Sequence, residues 1–306
     1  RELAGRLGAN VTVRHVVDPV ESQSLPMHQA YASHSAEIVR RRVSDLQKKL
    51  GRRPAAEGPQ VCGEVAIGHA PEEILRYARE KGIDLMVMST HGRTGLRRWV
   101  LGSVADEVLR RSTVPVLLVR PETADKDKLE KWTDITVIVP LDGSALAESV
   151  LPHVQALGQQ AGNETLKVVL VMVCEPPPTP PVAGPEIPFD WQAIMDENWA
   201  ACRRTTMQYL AGVENHLKQS GLQVRSEAIE QTKASVADEI VDYAGRIPFS
   251  LIVMATHGRT GVGRWAYGSV AQKVLTASSS PILMVRPSPA MARAAAQGKE
   301  LAGRKP

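Results

Sequence analysis

Residues 84–121 read DLMVMSTHGRTGLRRWVLGSVADEVLRRSTVPVLLVRP, and residues 250–287 read SLIVMATHGRTGVGRWAYGSVAQKVLTASSSPILMVRP. The two align without a gap, and roughly 23 of the 38 positions are identical, which makes them copies of one unit. Each opens on an apolar run of strand length, passes through Thr-His-Gly-Arg-Thr-Gly, and continues from Gly-Ser into helical spacing that stops before a second apolar run. Fainter matches extend the repeat upstream: residues 11–19 (VTVRHVVDP) correspond to 168–176 (VVLVMVCEP), and residues 60–75 to 223–241. Between the copies, residues 122–133 (ETADKDKLEKWT) are charged and lack an apolar period, which marks them as a linker.

In the second copy the pattern predicts strands at 135–141, 167–174, 223–230, 250–255 and 281–285. Helices are predicted at 145–157, 191–218, 236–243 and from 269 onward. Near-continuous apolar strands that alternate with helices imply a parallel sheet covered on both faces. The expected fold class is therefore α/β, with two tandem doubly wound five-stranded domains at 1–121 and 134–287 and a basic tail at 288–306. Matching Gly8 to Gly162 leaves the first copy without a counterpart of about 20 residues, strand one and most of helix one. A truncated front and a degenerate first domain both account for this. Strand one is central in doubly wound sheets, so its lack should leave a slot between two strands, with unpaired backbone groups on both sides.

Composition narrows the function classes. The 306 residues are 43% apolar and 23% charged, an ordinary globular balance, and only 4% are aromatic, too few for stacking platforms on single-stranded nucleic acid. The net charge is +4, but Arg293, Lys299, Arg304 and Lys305 against Glu300 place most of the excess in the tail, away from any folded nucleic-acid surface. No run approaches the roughly 18 apolar residues of a membrane span, and no apolar segment follows Arg1 as in a secretory signal. Cys62, Cys174 and Cys202 are far apart and lack CxxC or a nearby His cluster, so they read as buried cytoplasmic thiols with no disulfide framework and no metal site.

Ligands of open parallel sheets bind beyond the carboxyl ends of the strands, where the Thr-His-Gly-Arg-Thr-Gly loop falls. Gly258 and Gly261 let backbone approach a ligand closely, and Gly268, Ser269 and Val270 open a helix whose free N–H groups attract an anion. Ser269 alone also fits an N-cap with capping-box spacing to Gln272, as Ser103 does with Asp106. The loop is neither GxxxxGK[ST] nor GxGxxG. Asp142, at the end of strand one in VPLDGS, would project over the same crevice, where a carboxylate accepts from ribose hydroxyls or an adenine amino group. It equally suits a turn ahead of a Ser144 cap.

Together these residues resemble the universal stress protein family in its tandem two-domain form. The family motif Gly-x-x-Gly, nine residues, Gly-Ser/Thr is met by Ala255 to Gly258 and Gly268-Ser269, and by Ser89 to Gly92 and Gly102-Ser103, each with a small residue replacing the first glycine. The resemblance implies a Rossmann-like sheet in the order 3-2-1-4-5 and ATP binding, with Mg2+ or Mn2+ held mainly by the phosphates. It implies a nucleotide site in the second copy at Pro140, Leu141, Asp142, Ser144, Val173, Thr256, His257, Gly258, Arg259, Gly261, Gly268, Ser269 and Val270. A partial site in the first copy comprises Val16, Gly92, Gly95, Gly102, Ser103 and Val104, and has no residue at the Asp142 position. A nucleotide-dependent stress-response regulator in the cytoplasm is the implied role, and the alternative is a protein-interaction module that binds no nucleotide.

No nucleophile–base arrangement surrounds His91 or His257, so catalytic residues are not expected beyond slow ATP hydrolysis. Residues 115–120 (PVLLVR) and 281–286 (PILMVR) would be apolar sheet edges in need of cover. The resemblance implies that they pair with each other inside the chain, with a homodimer as a further arrangement. Trp99 and Trp265 read as packing residues, and the proline-rich residues 176–190 as a semi-rigid connection or as a lid or docking segment.

Overall fold

The structure is a computed structural model that describes residues 2–49, 59–90, 101–120, 135–162, 166–175, 191–257, 267–288 and 290–291. The expected linker, the proline-rich stretch, most of the tail and both glycine loops, with Trp99 and Trp265, lie outside the described residues.

Five strands of the second copy form a continuous parallel array. They are β5 (Ile135–Pro140), β6 (Leu166–Cys174), β7 (Gln223–Glu230), β8 (Ser250–Ala255) and β9 (Ile282–Val285). Their order β7-β6-β5-β8-β9 is the expected 3-2-1-4-5. Alternate side chains of a strand face opposite ways, so β5 feeds two cores. Val137 and Val139 pack with Val150, Val154, Leu210 and Leu217 beneath α6 (Leu151–Ala161) and α7 (Trp191–Gln219). Ile138 packs with Val171, Ile252 and Met254 beneath α8 (Val236–Gly245) and α9 (Ser269–Ala277). Burial on both faces explains why β5, β6, β8 and β9 read as near-continuous apolar runs, whereas β7, at the sheet edge, mixes polar residues in.

The helix expected at 145–157 is instead two: α5 (Ala145–Glu148) ends at Ser149, and α6 begins at Leu151. Pro152 supplies the reason, because a residue without an N–H is accommodated only in a first turn, and the Ser149 hydroxyl satisfies Leu146 O at 2.7 Å across the break. The apolar spacing runs through both pieces, so periodicity alone does not show the break.

In the first copy the helices are α1 (Glu2–Leu7), α2 (Leu25–Lys49), α3 (Ala70–Glu80) and α4 (Ser103–Arg111). The strands are β1 (Val11–Val17), β2 (Val61–Ile67), β3 (Met86–Ser89) and β4 (Val116–Val119). β1 and β2 form a parallel pair of their own, whereas β3 and β4 continue the large sheet, which reads β3-β4-β9-β8-β5-β6-β7. The break falls where strand one would stand, which is the slot inferred from the repeat. Its consequence is measurable at one repeat position: Val253 of β8 is 0% exposed, while its equivalent Val87 of β3 is 61% exposed. α3 packs against both β1 and α4 and so spans the interruption.

β4 lies antiparallel to β9, with Leu117 opposite Leu283. Their separation, 283 − 117 = 166, equals the repeat offset 250 − 84, so equivalent residues face each other across a local two-fold relation. The flanking arginines obey the same relation. Arg120 donates to Thr276 O at 2.8 Å, and Arg286 donates to Arg110 O at 2.7 Å, each satisfying a carbonyl at the carboxyl end of the other copy's helix. Tyr267 reaches across as well, its hydroxyl donating to Asp106 O at 3.1 Å beside the Arg110 guanidinium.

The cysteine expectation is corrected in part. All three described thiols are free, but only Cys174 is buried; Cys62 is exposed and Cys202 half-buried. An isolated apolar-looking position on a helix or strand does not reveal which face it occupies.

Candidate functional site

β5 is the first strand of its copy and lies between β6 and β8, so chain direction along the sheet reverses beside it. Such a switch point opens a crevice past the carboxyl ends of the strands. Pro140, Leu141 and Asp142 leave β5 at this rim, and Leu141 N–H donates to Val171 O at 2.8 Å, the last bond tying the strand to β6. Gly143 then takes φ +79°, a conformation that an L side chain resists. That turn folds Ser144 back on Asp142: Oδ1 accepts from Ser144 N–H at 3.0 Å and from its hydroxyl at 2.6 Å. Ser144 Oγ in turn accepts from Ala147 N–H at 3.2 Å and caps α5. The turn and cap roles of this pair are thus present, and they hold the Asp142 carboxylate at the strand end.

Val171 directs its carbonyl at β5, and alternation of backbone direction puts the N–H and C=O of Val173 on the same side, two residues beyond the end of the β5 ladder. The Val173 side chain is buried in the core under α8, so what it offers the crevice is backbone.

On the other flank, Thr256 follows β8. Its N–H donates to Val285 O at 2.9 Å, and its carbonyl accepts from Gly268 N–H at 3.0 Å, which anchors the start of α9 next to the end of β8. Two expectations change here. The N-cap is Gly268, with no side-chain cap bond, so Ser269 is the first helical residue and the capping-box reading fails; Gly102 and Ser103 repeat this at α4. The extended backbone of the glycine (φ −57°, ψ 147°) starts the helix one residue earlier than the hydroxyl pattern suggests. Nor is the Gly268 N–H free, because Thr256 holds it. The amides of Ser269, Val270 and Ala271, in the first turn, are those without an intrahelical acceptor. The first copy builds the same frame, with Thr90 N–H on Val119 O at 3.1 Å and Gly102 N–H on Thr90 O at 2.8 Å ahead of Val104. Val16, however, lies on β1 in the separate sheet.

His257 is half-buried, with Nδ1 at 3.0 Å from Thr256 Oγ1. Gly258, Arg259, Gly261, Gly92 and Gly95 lie outside the described residues, as does His91. Among the described residues no group of three or more His, Cys, Asp or Glu side chains could hold a metal ion. One polar pair escaped the sequence reading: Tyr209 of α7 donates to Glu148 Oε1 at 2.7 Å. Burial, reinforced by Glu148 and by Asp142, holds the phenol far above its ordinary pKa, so it remains a donor beside the strand-one carboxylate. No spacing rule links residues 61 positions apart on two helices.

The universal stress protein family model matches residues 1–120 and 136–286. The chain belongs to the universal stress protein family. A member from Mycolicibacterium smegmatis is 23% identical over 289 residues, covering 91% of this chain and 88% of that one. One from Methanocaldococcus jannaschii is 33% identical over 118 residues, 39% of this chain and 69% of its own length. The crystal structure of a universal stress protein from Archaeoglobus fulgidus shares the fold at TM-score 0.57, with 17% identity and 94% of each chain covered. Among the described residues no helix is long and apolar enough to cross a membrane.

Proposed function

We propose that the second copy of this universal stress protein binds an adenine nucleotide, ATP foremost, and that the chain acts in the cytoplasm as a nucleotide-dependent stress-response regulator without substantial catalytic turnover. One observation supports the reading: Asp142 follows β5, Val173 lies near the end of β6, and α9 starts against Thr256 at the end of β8, so all three lie at the carboxyl ends of neighbouring strands around the switch point. In this reading Asp142 recognises the adenosine, Val173 lines adenine with its backbone, and the amides of Ser269 and Val270 receive phosphate together with Gly258 and Gly261 of the loop. A divalent ion, Mg2+ or Mn2+, rides on the phosphates. The two copies work as an internal pair through β4 and β9, with a homodimer as the further arrangement.

Titration calorimetry with ATP tests this. The expected outcome is binding that Asp142→Ala abolishes while the far-ultraviolet spectrum stays native. Absence of heat at millimolar ATP, or an unchanged affinity in the variant, sinks the assignment. The rival reading, an interaction module that binds no nucleotide, draws on the engagement of Asp142 Oδ1 by Ser144 and of Gly268 N–H by Thr256. It predicts that no nucleotide co-purifies with the protein, which mass spectrometry of the denatured supernatant decides.

A further inference from the structure

Cys174 ends β6, and its thiol is buried against α7, with Sγ 3.4 Å from Thr206 Oγ1. Cys202 stands four residues before Thr206 and hence one helical turn away on the same face. The Cys174 thiol therefore faces the stretch of α7 that carries Cys202, near enough for the two groups to interact electrostatically. Packing does not demand a thiol at position 174: the repeat places Val17 at the equivalent point of β1, where it is equally buried. A buried thiol and a half-exposed one, set against the same turn of one helix, are a different object from three scattered cysteines.

We propose that Cys174 and Cys202 form an oxidisable dithiol, a modification site that hydrogen peroxide converts to a disulfide between β6 and α7. The half-exposed Cys202 meets the oxidant first. Its thiolate attacks one peroxide oxygen, the O–O bond breaks, and hydroxide leaves and takes a proton to become water, which leaves Cys202 as a sulfenic acid. Cys174 then acts as the resolving thiol: its sulfur attacks the sulfenic sulfur, the S–O bond breaks, and a second water departs with the Cys174 proton. Two thiols and one peroxide thus yield one disulfide and two waters. The order follows from burial, since burial first, and then Cys202 and Glu230 against a pull from Thr206, push the Cys174 thiol up to about 11. A group so rarely ionised does not initiate the reaction but resolves a sulfenic acid held against it. Closure sets the sulfurs about 2.0 Å apart and cross-links the segment between residues 174 and 202, which restrains the unfolded chain.

The full chain, treated with a small excess of hydrogen peroxide and then alkylated, tests the proposal. The expected result is a peptide cross-link between Cys174 and Cys202, with the mass lower by two hydrogens, Cys62 still alkylated, a raised melting temperature, and reversal of all three changes by dithiothreitol. Cys174→Val, which borrows the residue of the first copy, should keep the fold, lose the cross-link, and leave a sulfenic acid on Cys202 that dimedone traps. Oxidation of Cys202 straight to sulfinic acid in the unaltered protein, or cross-links that run only through Cys62, would overturn it. So would equal dimedone labelling with and without Cys174.

Discussion

Val87 and Val253 occupy one repeat position and sit in opposite environments, 61% and 0% exposed. Removing two methyl groups from Val253 leaves a cavity among close-packed neighbours, whereas the same deletion at Val87 opens onto solvent. Val253→Ala should therefore cost about 2 kcal/mol in urea unfolding, and Val87→Ala under about 0.5 kcal/mol. Equal costs would mean that the β3 edge is covered in solution. The same scale shows how far a residue's role is legible from local pattern. Ser144 was readable as a cap because its hydroxyl needs only its own turn, while Ser269 looked like one and is not, since the helix start is set by the bond from Gly268 to Thr256, twelve residues earlier. Cys174 and Cys202, or Tyr209 and Glu148, had no local signal at all, because each pair meets only once α7 lies on the sheet.

At the scale of elements, the start of α8 is tied to α9 through a short polar chain. Ser235 accepts from Asp238 N–H as the N-cap and donates to Asp238 Oδ2 at 2.8 Å, and Lys273 reaches over from α9 to the same carboxylate at 2.6 Å. The Lys273 ammonium, followed by the Ser235 hydroxyl, holds the Asp238 carboxyl below its ordinary value of 3.8. A carboxyl with a lowered folded pKa contributes stability that is complete above the unfolded value and fades as pH falls through the folded one, so this tie weakens only in strong acid. Lys273→Ala should raise the Asp238 titration midpoint toward 3.8 in a carbon-detected NMR titration. An unmoved midpoint would show that the serine alone holds it. The helix itself was foreseeable from its apolar period; the lysine that completes the pair comes from another helix and carries no such mark.

For the whole molecule, the interruption between β1 and β3 divides the first copy into a two-stranded pair and an extension of the large sheet. A two-stranded pair has few ladder bonds and a half-exposed face, so it opens locally at lower cost than a strand buried within seven. Hydrogen exchange followed by mass spectrometry should show β1 and β2 amides exchanging well ahead of those in β5 and β6. A fusion that places a strand of the Ile135–Pro140 type between β1 and β3 should slow them. Similar rates throughout would refute the division. The internal repeat, read from 84–121 against 250–287, determined by itself that one α/β unit occurs twice and where in the chain the glycine loops fall, because apolar periodicity and identity are local properties of the chain. Tertiary structure alone decided which backbone amides at the α9 start are already engaged, that Leu117 meets Leu283 across the pair, and that the Cys174 thiol lies against Thr206 of α7. Those are contacts between segments far apart in sequence, and only the sheet order and helix docking bring them together.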